Sequence, residues 1–328
     1  MDKGVISTAV IASHHKFIKL GTLEGSPVMM CGIPCCISVF FFCLFIEVSA
    51  NTVVTSSNVG LSSLEMFQNS WNSYKSVVEA DLMEHKSMTA TLKQAIDRWI
   101  KNYSVLNDSP MINMSIADLG CGDLALLGPV YRALPFNLFC GVDMSLSALE
   151  LAREEFNGFA QDNIVEESSS RPETLWLNED LLSWSRTIIV DQLADERLSD
   201  NSRVQKFDII VCAFSVHHLN DEDKKNFLIS VSENKLKKGG TILMADIFMI
   251  ENEDRAAYLA RFLNHITLNW GVISEAQKRD VLEHVSENDY PASLHHFMSH
   301  MVPECGLSCE LLWSDSNDFY KLLVLKHL

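Results

Sequence analysis

The stretch Ile116-Ala117-Asp118-Leu119-Gly120-Cys121-Gly122-Asp123 reads as a strand that runs into a glycine-rich turn, and 21 residues beyond Gly122 a second strand ends at Asp143. A carboxylate that far past a Gly-x-Gly turn suits a nucleoside ribose, with the turn lying against the rest of the cofactor. Such a turn operates at the edge of a sheet, so the flanking sequence should alternate strand and helix.

The alternation is present. Phe67, Trp71, Tyr74, Val78 and Leu82 carry the stripe of an amphipathic helix, and Met88, Leu92, Ile96 and Trp99 repeat it in a second. Asn113–Leu119 and Leu138–Asp143 read as strands one and two, followed by a helix with Ser145 as cap and Leu149, Ala152 and Phe156 inside. Gly158–Pro172 is polar and reads as a surface loop. Thr174–Asn178 is a third strand leading to Asp180, and Asp208–Ala213 is a fourth, apolar enough to be buried on both faces. A helix from about Asp221 to Leu236 should stop at Lys237-Lys238-Gly239-Gly240, before a fifth strand over Thr241–Asp246. A helical insert (251–304) then precedes Leu307–Trp313 and Tyr320–Leu325, which read as an antiparallel hairpin. The expected fold is α/β: a seven-stranded, doubly wound, mostly parallel sheet with N-terminal helices, a helical insert and a C-terminal antiparallel hairpin. Asp118, Gly120, Asp143, Asp180 and the segment after Ala213 all fall on the edge where such sheets bind ligands.

This domain is assigned to residues 60–328, leaving 1–59 as an extension. Of the formal net charge of −17, residues 1–60 contribute nothing, because Lys3, Lys16 and Lys19 balance Asp2, Glu24 and Glu47. The acidic body repels phosphate backbones, which argues against nucleic acid and for a neutral or cationic small molecule. Of nine cysteines, Cys31, Cys35, Cys36 and Cys43 lie in one apolar run and the other five are scattered without paired spacing apart from Cys305-x3-Cys309, which is neither a disulfide framework nor a zinc pattern. They point to a reducing compartment, cytoplasmic or organellar.

Residues 27–46 are uncharged over the length of a bilayer span. They read as a membrane anchor, a targeting segment removed on maturation, or sequence that the mature protein never carries. The preceding lysines would send the body across the membrane. Reduced cysteines and a glycosylation acceptor at Asn113-Met-Ser, abutting the Asp118 strand, oppose that placement. The acid-poor first 26 residues equally suit an organelle transit signal.

Gly120-x-Gly122-x-x-Ala125 followed by Asp143 also satisfies the NAD fingerprint, so a dehydrogenase competes. Asp118 counts against it, since a dinucleotide site wants an apolar residue beneath the pyrophosphate. Asp180, placed to meet an adenine amine, and the terminal insert and hairpin also count against it. The motifs Asp118-Leu-Gly120-Cys-Gly122, Gly141-Val-Asp143-Met144-Ser145, Asn178-Glu-Asp180-Leu181, Phe207-Asp-Ile-Ile-Val-Cys-Ala213, His217-His218-Leu219 and Leu236-Lys-Lys-Gly239-Gly240 stand in a telling order and spacing. Together they resemble a class I S-adenosylmethionine-dependent methyltransferase of the small-molecule type, over roughly residues 62–326. Leu124 replaces the family's usual third glycine, and Gly128-Pro129 intrudes where the next helix should run, so a longer turn is expected.

The resemblance implies S-adenosylmethionine as cofactor. Backbone N–H groups around Gly120 and Gly122 would approach its methionine moiety, and Asp118 would favour the cationic sulfonium end. Asp143, with Met144 beside it, would accept the ribose hydroxyls. Asp180 and the Leu181 amide would hold adenine, with Ala213 at the end of strand four. Tyr74 would close over the methionine end or the acceptor.

Methyl transfer from a sulfonium is an in-line displacement, and orientation alone is worth about 7–11 kcal/mol. A hydroxyl or acid acceptor also needs a base, for which His217 and His218 are the candidates. The alternative is a His pair that caps the turn and packs beside the cofactor. His295, His296 and His300 have no acidic or cysteine partner in register, so no metal is expected. The insert, with Tyr258, Phe262, Trp270 and Phe297, would cap the acceptor. A small organic acceptor, methylated on O, N or C, is expected; a protein acceptor and a non-catalytic cofactor-binding regulator are the alternatives.

Overall fold

The computed structural model describes residues 73–107, 114–162, 172–187 and 205–328, all within the unit Ser56–Leu328. The 59/60 boundary, the apolar segment 27–46, Phe67, Trp71 and Asn113 lie outside them. Among the described residues no helix is long and apolar enough to cross a membrane.

Helices α1 (73–79) and α2 (His85–Asn107) precede the sheet. The α2 stripe buries Met88, Leu92 and Ile96 completely. In α1 the buried positions are Ser73 and Val77, and the helix stops before Leu82. Strands β1 (Ser115–Leu119), β2 (Leu138–Asp143), β3 (Glu173–Asn178), β4 (Phe207–Ala213), β5 (Leu236–Met249), β7 (Leu307–Ser314) and β8 (Tyr320–His327) form the order β3-β2-β1-β4-β5-β8-β7. The first five are parallel, and β8 runs antiparallel to both β5 and β7. A two-residue strand, β6 (Ala292–Ser293), pairs with the far end of β5.

The pleat sends alternate residues of the central strands to opposite faces. Ala117, Leu119, Ile210 and Cys212 enter one core, while Ile116, Ile209 and Val211 enter the other. Both faces are therefore covered, as a parallel sheet requires. Helices α3 (Gly128–Tyr131), α4 (Leu146–Asp162), α5 (Leu181–Arg186) and α6 (Asp221–Asn234) connect the strands. The insert contributes α7 (Arg255–Asn269), capped by Asp254, and α8 (Glu275–Asn288), started by a Ser274/Gln277 capping box. A continuous helical run with a π turn at its centre (Leu294–His296, Phe297–Met301, Val302–Glu304) completes it.

Two expectations about element ends fail. Lys237-Lys238-Gly239-Gly240 does not end a helix; it lies inside β5, which starts at Leu236 opposite Phe207. Lys237 pairs with Asp208 at 2.8 Å, and Gly239 takes φ +80° where the register slips, its carbonyl accepting from Trp99 Nε1. Second, α4 runs through Gly158 to Asp162, so the polar loop begins later than expected. An interior glycine costs a helix only about 1 kcal/mol.

Candidate active site

The glycine turn lies over the end of β2, where the Gly120 and Cys121 amides both donate to the Val142 carbonyl. Gly120 takes φ +71°, and a Cβ there would stand 2.5 Å from Ser215 Cβ, so only glycine fits without displacement. Leu124, in place of the third glycine, itself holds φ +62° while its side chain is buried. The turn is longer, as Pro129 led us to expect: the next helix is the single turn α3. That short helix delivers Tyr131, whose hydroxyl donates to Asp118 Oδ2 at 2.9 Å.

Asp118 is buried, and its Oδ1 has no hydrogen-bond partner among the described residues. Burial pushes its carboxyl up to about 7, with the Tyr131 hydrogen bond opposing and the Asp143 charge assisting. Asp143 accepts from the Gly122 amide at 2.9 Å on one oxygen and from the Ser145 amide at 2.8 Å on the other. Burial raises its carboxyl, against those two amides. Each oxygen keeps a second lone pair for a hydroxyl donor.

A cavity of about 320 Å³ opens beside this turn. Tyr74, Asp118, Gly120, Gly122, Asp143, Ala213, His217 and His218 all line it, so the structure brings together eight of the residues expected at the site. Met144, Asp180 and Leu181 are not part of its wall. The Met144 side chain is exposed, on the adjoining rim where Asn178 Nδ2 donates to the Asp143 and Met144 carbonyls. Asp180 caps α5, with its oxygens on the Ser183 amide and hydroxyl, which hold its carboxyl below the usual range.

The far wall comes from the insert and the hairpin: Phe262, Trp270, His284, Val285, Asp289 and Tyr320. Phe214, held at φ +54° just beyond β4, adds a further ring. Helix α8 is tied to α1 by Ser73 Oγ donating to Asp280 and Gln277 Nε2 donating to Ser76 Oγ. Tyr258 and Phe297, also expected in the cap, pack into cores instead.

His217 sits between two buried carboxylates. Its Nδ1 is 2.5 Å from Asp246 Oδ1, and its Nε2 is 3.5 Å from Asp289 Oδ1. Burial pulls the ring's pKa down, but Asp246 and Asp289 outweigh it, and the net direction is up. Burial and the His217 charge pull His218 the other way, although 39% of its side chain stays open. Burial raises the Asp289 carboxyl, with His217 and His284 opposing. Neither Asp246 nor Asp289 was expected here. Asp246 ends the fifth strand read from sequence, on the same edge as Asp118 and Asp143, and that position was the available signal. Nothing local marks Asp289.

Residues 117–242 match the family described as Methyltransferase domain. Over that stretch the chain carries a methyltransferase domain, which spans the glycine turn, Asp143, Asp180 and the His217–His218 pair. No curated protein matches it in sequence. Among solved structures it is similar to the mitomycin 7-O-methyltransferase MmcR, at 15% identity over 66% of this chain and 49% of that one, with a TM-score of 0.43. It is also similar to magnesium protoporphyrin IX methyltransferase (ChlM) from Synechocystis PCC 6803 with bound SAH, at 14% identity over 73% and 84%, TM-score 0.40. The CurJ carbon methyltransferase follows at 12% identity over 67% and 50%, TM-score 0.42. The chain thus spans about half the length of MmcR and of CurJ.

The residues of the site fit S-adenosylmethionine. The orphaned Asp118 oxygen is an acceptor without a donor, which a cationic ligand end satisfies. The Gly120 approach leaves no side chain between backbone and ligand, and Asp143 has lone pairs to spare for ribose hydroxyls.

Proposed function

We propose that this methyltransferase alkylates a small, mostly apolar organic acceptor at a single heteroatom. One observation carries the reading: Asp118, Gly120 and Asp143 line the same cavity as the rings of Phe262, Trp270 and Tyr320 and the His217, His218 and Asp289 cluster. S-adenosylmethionine supplies, when bound, a methyl group on a sulfonium. The Gly120–Gly122 turn and Asp143 hold the donor, and Phe262, Trp270 and Tyr320 offer flat apolar faces to the acceptor while excluding water. His217, His218 and Asp289 line the same cavity, so in this reading they orient the acceptor's heteroatom, and an imidazole takes its proton as the methyl carbon leaves sulfur and bonds to that atom. Alignment of nucleophile, methyl and sulfur is the protein's main contribution.

The test is a methyl-transfer screen with labelled donor over phenolic, carboxylic and amine acceptors. His217→Ala and His218→Ala should each lower turnover at least about tenfold while shifting donor affinity far less, as expected for loss of acid–base or orienting groups. Full activity in both variants removes the cluster from the reaction. A screen with no labelled product favours a cofactor-binding regulator.

A further inference from the structure

We propose that His217, His218 and Asp289 form a binding site for one divalent transition metal ion of the zinc type, at the acceptor end of the cavity. The sequence led us to expect no metal; the fold brings together ligands that no local spacing announces. One ligand atom from each residue lies within 4.8 Å of the others. His217 Nε2 and His218 Nδ1 are each 3.5 Å from Asp289 Oδ1. Ligands at about 2.0–2.1 Å from a tetrahedral zinc lie about 3.4 Å apart, so these separations need little adjustment.

The second observation is Asp289 itself. Its side chain is 1% exposed, and neither oxygen has a hydrogen-bond partner among the described residues. A carboxylate taken from water without a donor is costly, and buried charges ordinarily pair or coordinate metals. His217 Nε2 and His218 Nδ1 both stand at contact rather than hydrogen-bond distance from Asp289 Oδ1, which leaves room for an ion among the three.

Two of the three ligands have the supports that coordination requires, while His218 Nδ1 faces the Asn288 carbonyl at 3.3 Å and would exchange that contact for the ion. Asp246 engages His217 Nδ1 and so leaves Nε2 as the coordinating atom, the carboxylate–histidine arrangement common behind metals. The Tyr290 amide donates to the His217 carbonyl at 2.8 Å, and Arg255 Nε donates to the Asp289 carbonyl at 2.9 Å. Lys224 Nζ bridges the Leu219 and Tyr290 carbonyls, pinning the two ligand-bearing segments to each other. His284 Nε2, 3.9 Å from Asp289 Oδ1, stands at the margin. Three protein ligands leave a fourth position for water or the acceptor's heteroatom, the pattern of an open zinc site. There the ion would take over from the free imidazole as the activating group: it would hold the acceptor's heteroatom and lower its pKa, so that its proton passes to water before the methyl is transferred. That role rests on the methyl-transfer reading; binding of the ion does not.

Cobalt(II) is the probe, because tetrahedral coordination gives visible d–d bands and thiolate ligation adds a strong near-ultraviolet band. The full chain, stripped with chelator, should take up one equivalent of cobalt with visible bands and no thiolate band, and zinc should displace it. Asp289→Asn, which keeps the shape, and His218→Ala should each weaken uptake by more than about tenfold, with circular dichroism and S-adenosylhomocysteine binding retained as evidence of folding. No uptake by the wild type, uptake dominated by the thiolate band, or equal affinity in folded variants overturns the site. Methyl transfer that persists without metal binding refutes this inference alone. Metal binding in a chain that labels no acceptor refutes the function alone.

Discussion

Asp118→Asn isolates the free energy held in the glycine turn. The wild-type carboxyl lies beneath the turn with only Tyr131 on one oxygen, and burial moves it from 3.8 to about 7. Between those two values the folded chain keeps a proton that the unfolded chain has released. Stability therefore falls as pH rises through that window and is constant above it. At about 1.36 kcal/mol per pH unit, the whole displacement is about 4 kcal/mol, of which about 2–3 kcal/mol falls between about pH 5 and about pH 7.5. Asparagine keeps the shape and the acceptor for Tyr131 but carries no proton to lose. Urea denaturation of the ligand-free chain across this range should show wild-type stability declining relative to Asp118→Asn by that amount. A bound sulfonium favours the ionised carboxylate, so S-adenosylmethionine affinity should rise with pH through the same window in the wild type more than in the variant. Parallel stability profiles would refute the reasoning, because they would mean that Asp118 ionises as an ordinary surface acid.

Gly120→Ala adds a Cβ 2.5 Å from Ser215 Cβ at a φ of +71°, so it should destabilise the fold by about 1–3 kcal/mol and weaken S-adenosylhomocysteine binding by calorimetry. Unchanged affinity would place the ligand away from the turn. Leu124→Gly relieves a left-handed backbone but removes a buried leucine. The lost burial, about 2–5 kcal/mol, exceeds the strain of about 1–3 kcal/mol, so denaturation should show net destabilisation; a more stable variant would show that strain dominates.

What the sequence made legible is what short-range geometry enforces. Gly120, Gly122 and Asp143 are joined by one strand–helix–strand unit, and once its sheet order follows, their meeting at one edge follows too. Asp118 was readable for the same reason, though its partner Tyr131 was not, since the route from one to the other passes through a turn lengthened by Pro129. Asp180 shows where a strand-end carboxylate is ambiguous: the residues that suit adenine also suit a helix cap, and its oxygens hold Ser183. Lys237-Lys238-Gly239-Gly240 carried the signature of a helix end, but Lys237 finds Asp208 across the sheet and the glycines serve a strand irregularity. Asp289 was illegible because it reaches His217 only after two insert helices fold back over the sheet. Residues 1–59 offered three readings of the apolar segment, and these remain expectations from sequence.

The central claim, that this cavity receives the methyl donor, is tested most directly by calorimetric titration of the full chain with S-adenosylhomocysteine and with NAD, on the wild type and on Asp143→Ala. The account predicts one S-adenosylhomocysteine per chain, no NAD binding, and loss of binding in the variant, whose Gly122 and Ser145 amides no longer share a carboxylate. Tighter binding of NAD, or undiminished S-adenosylhomocysteine affinity in a folded Asp143→Ala chain, would contradict it.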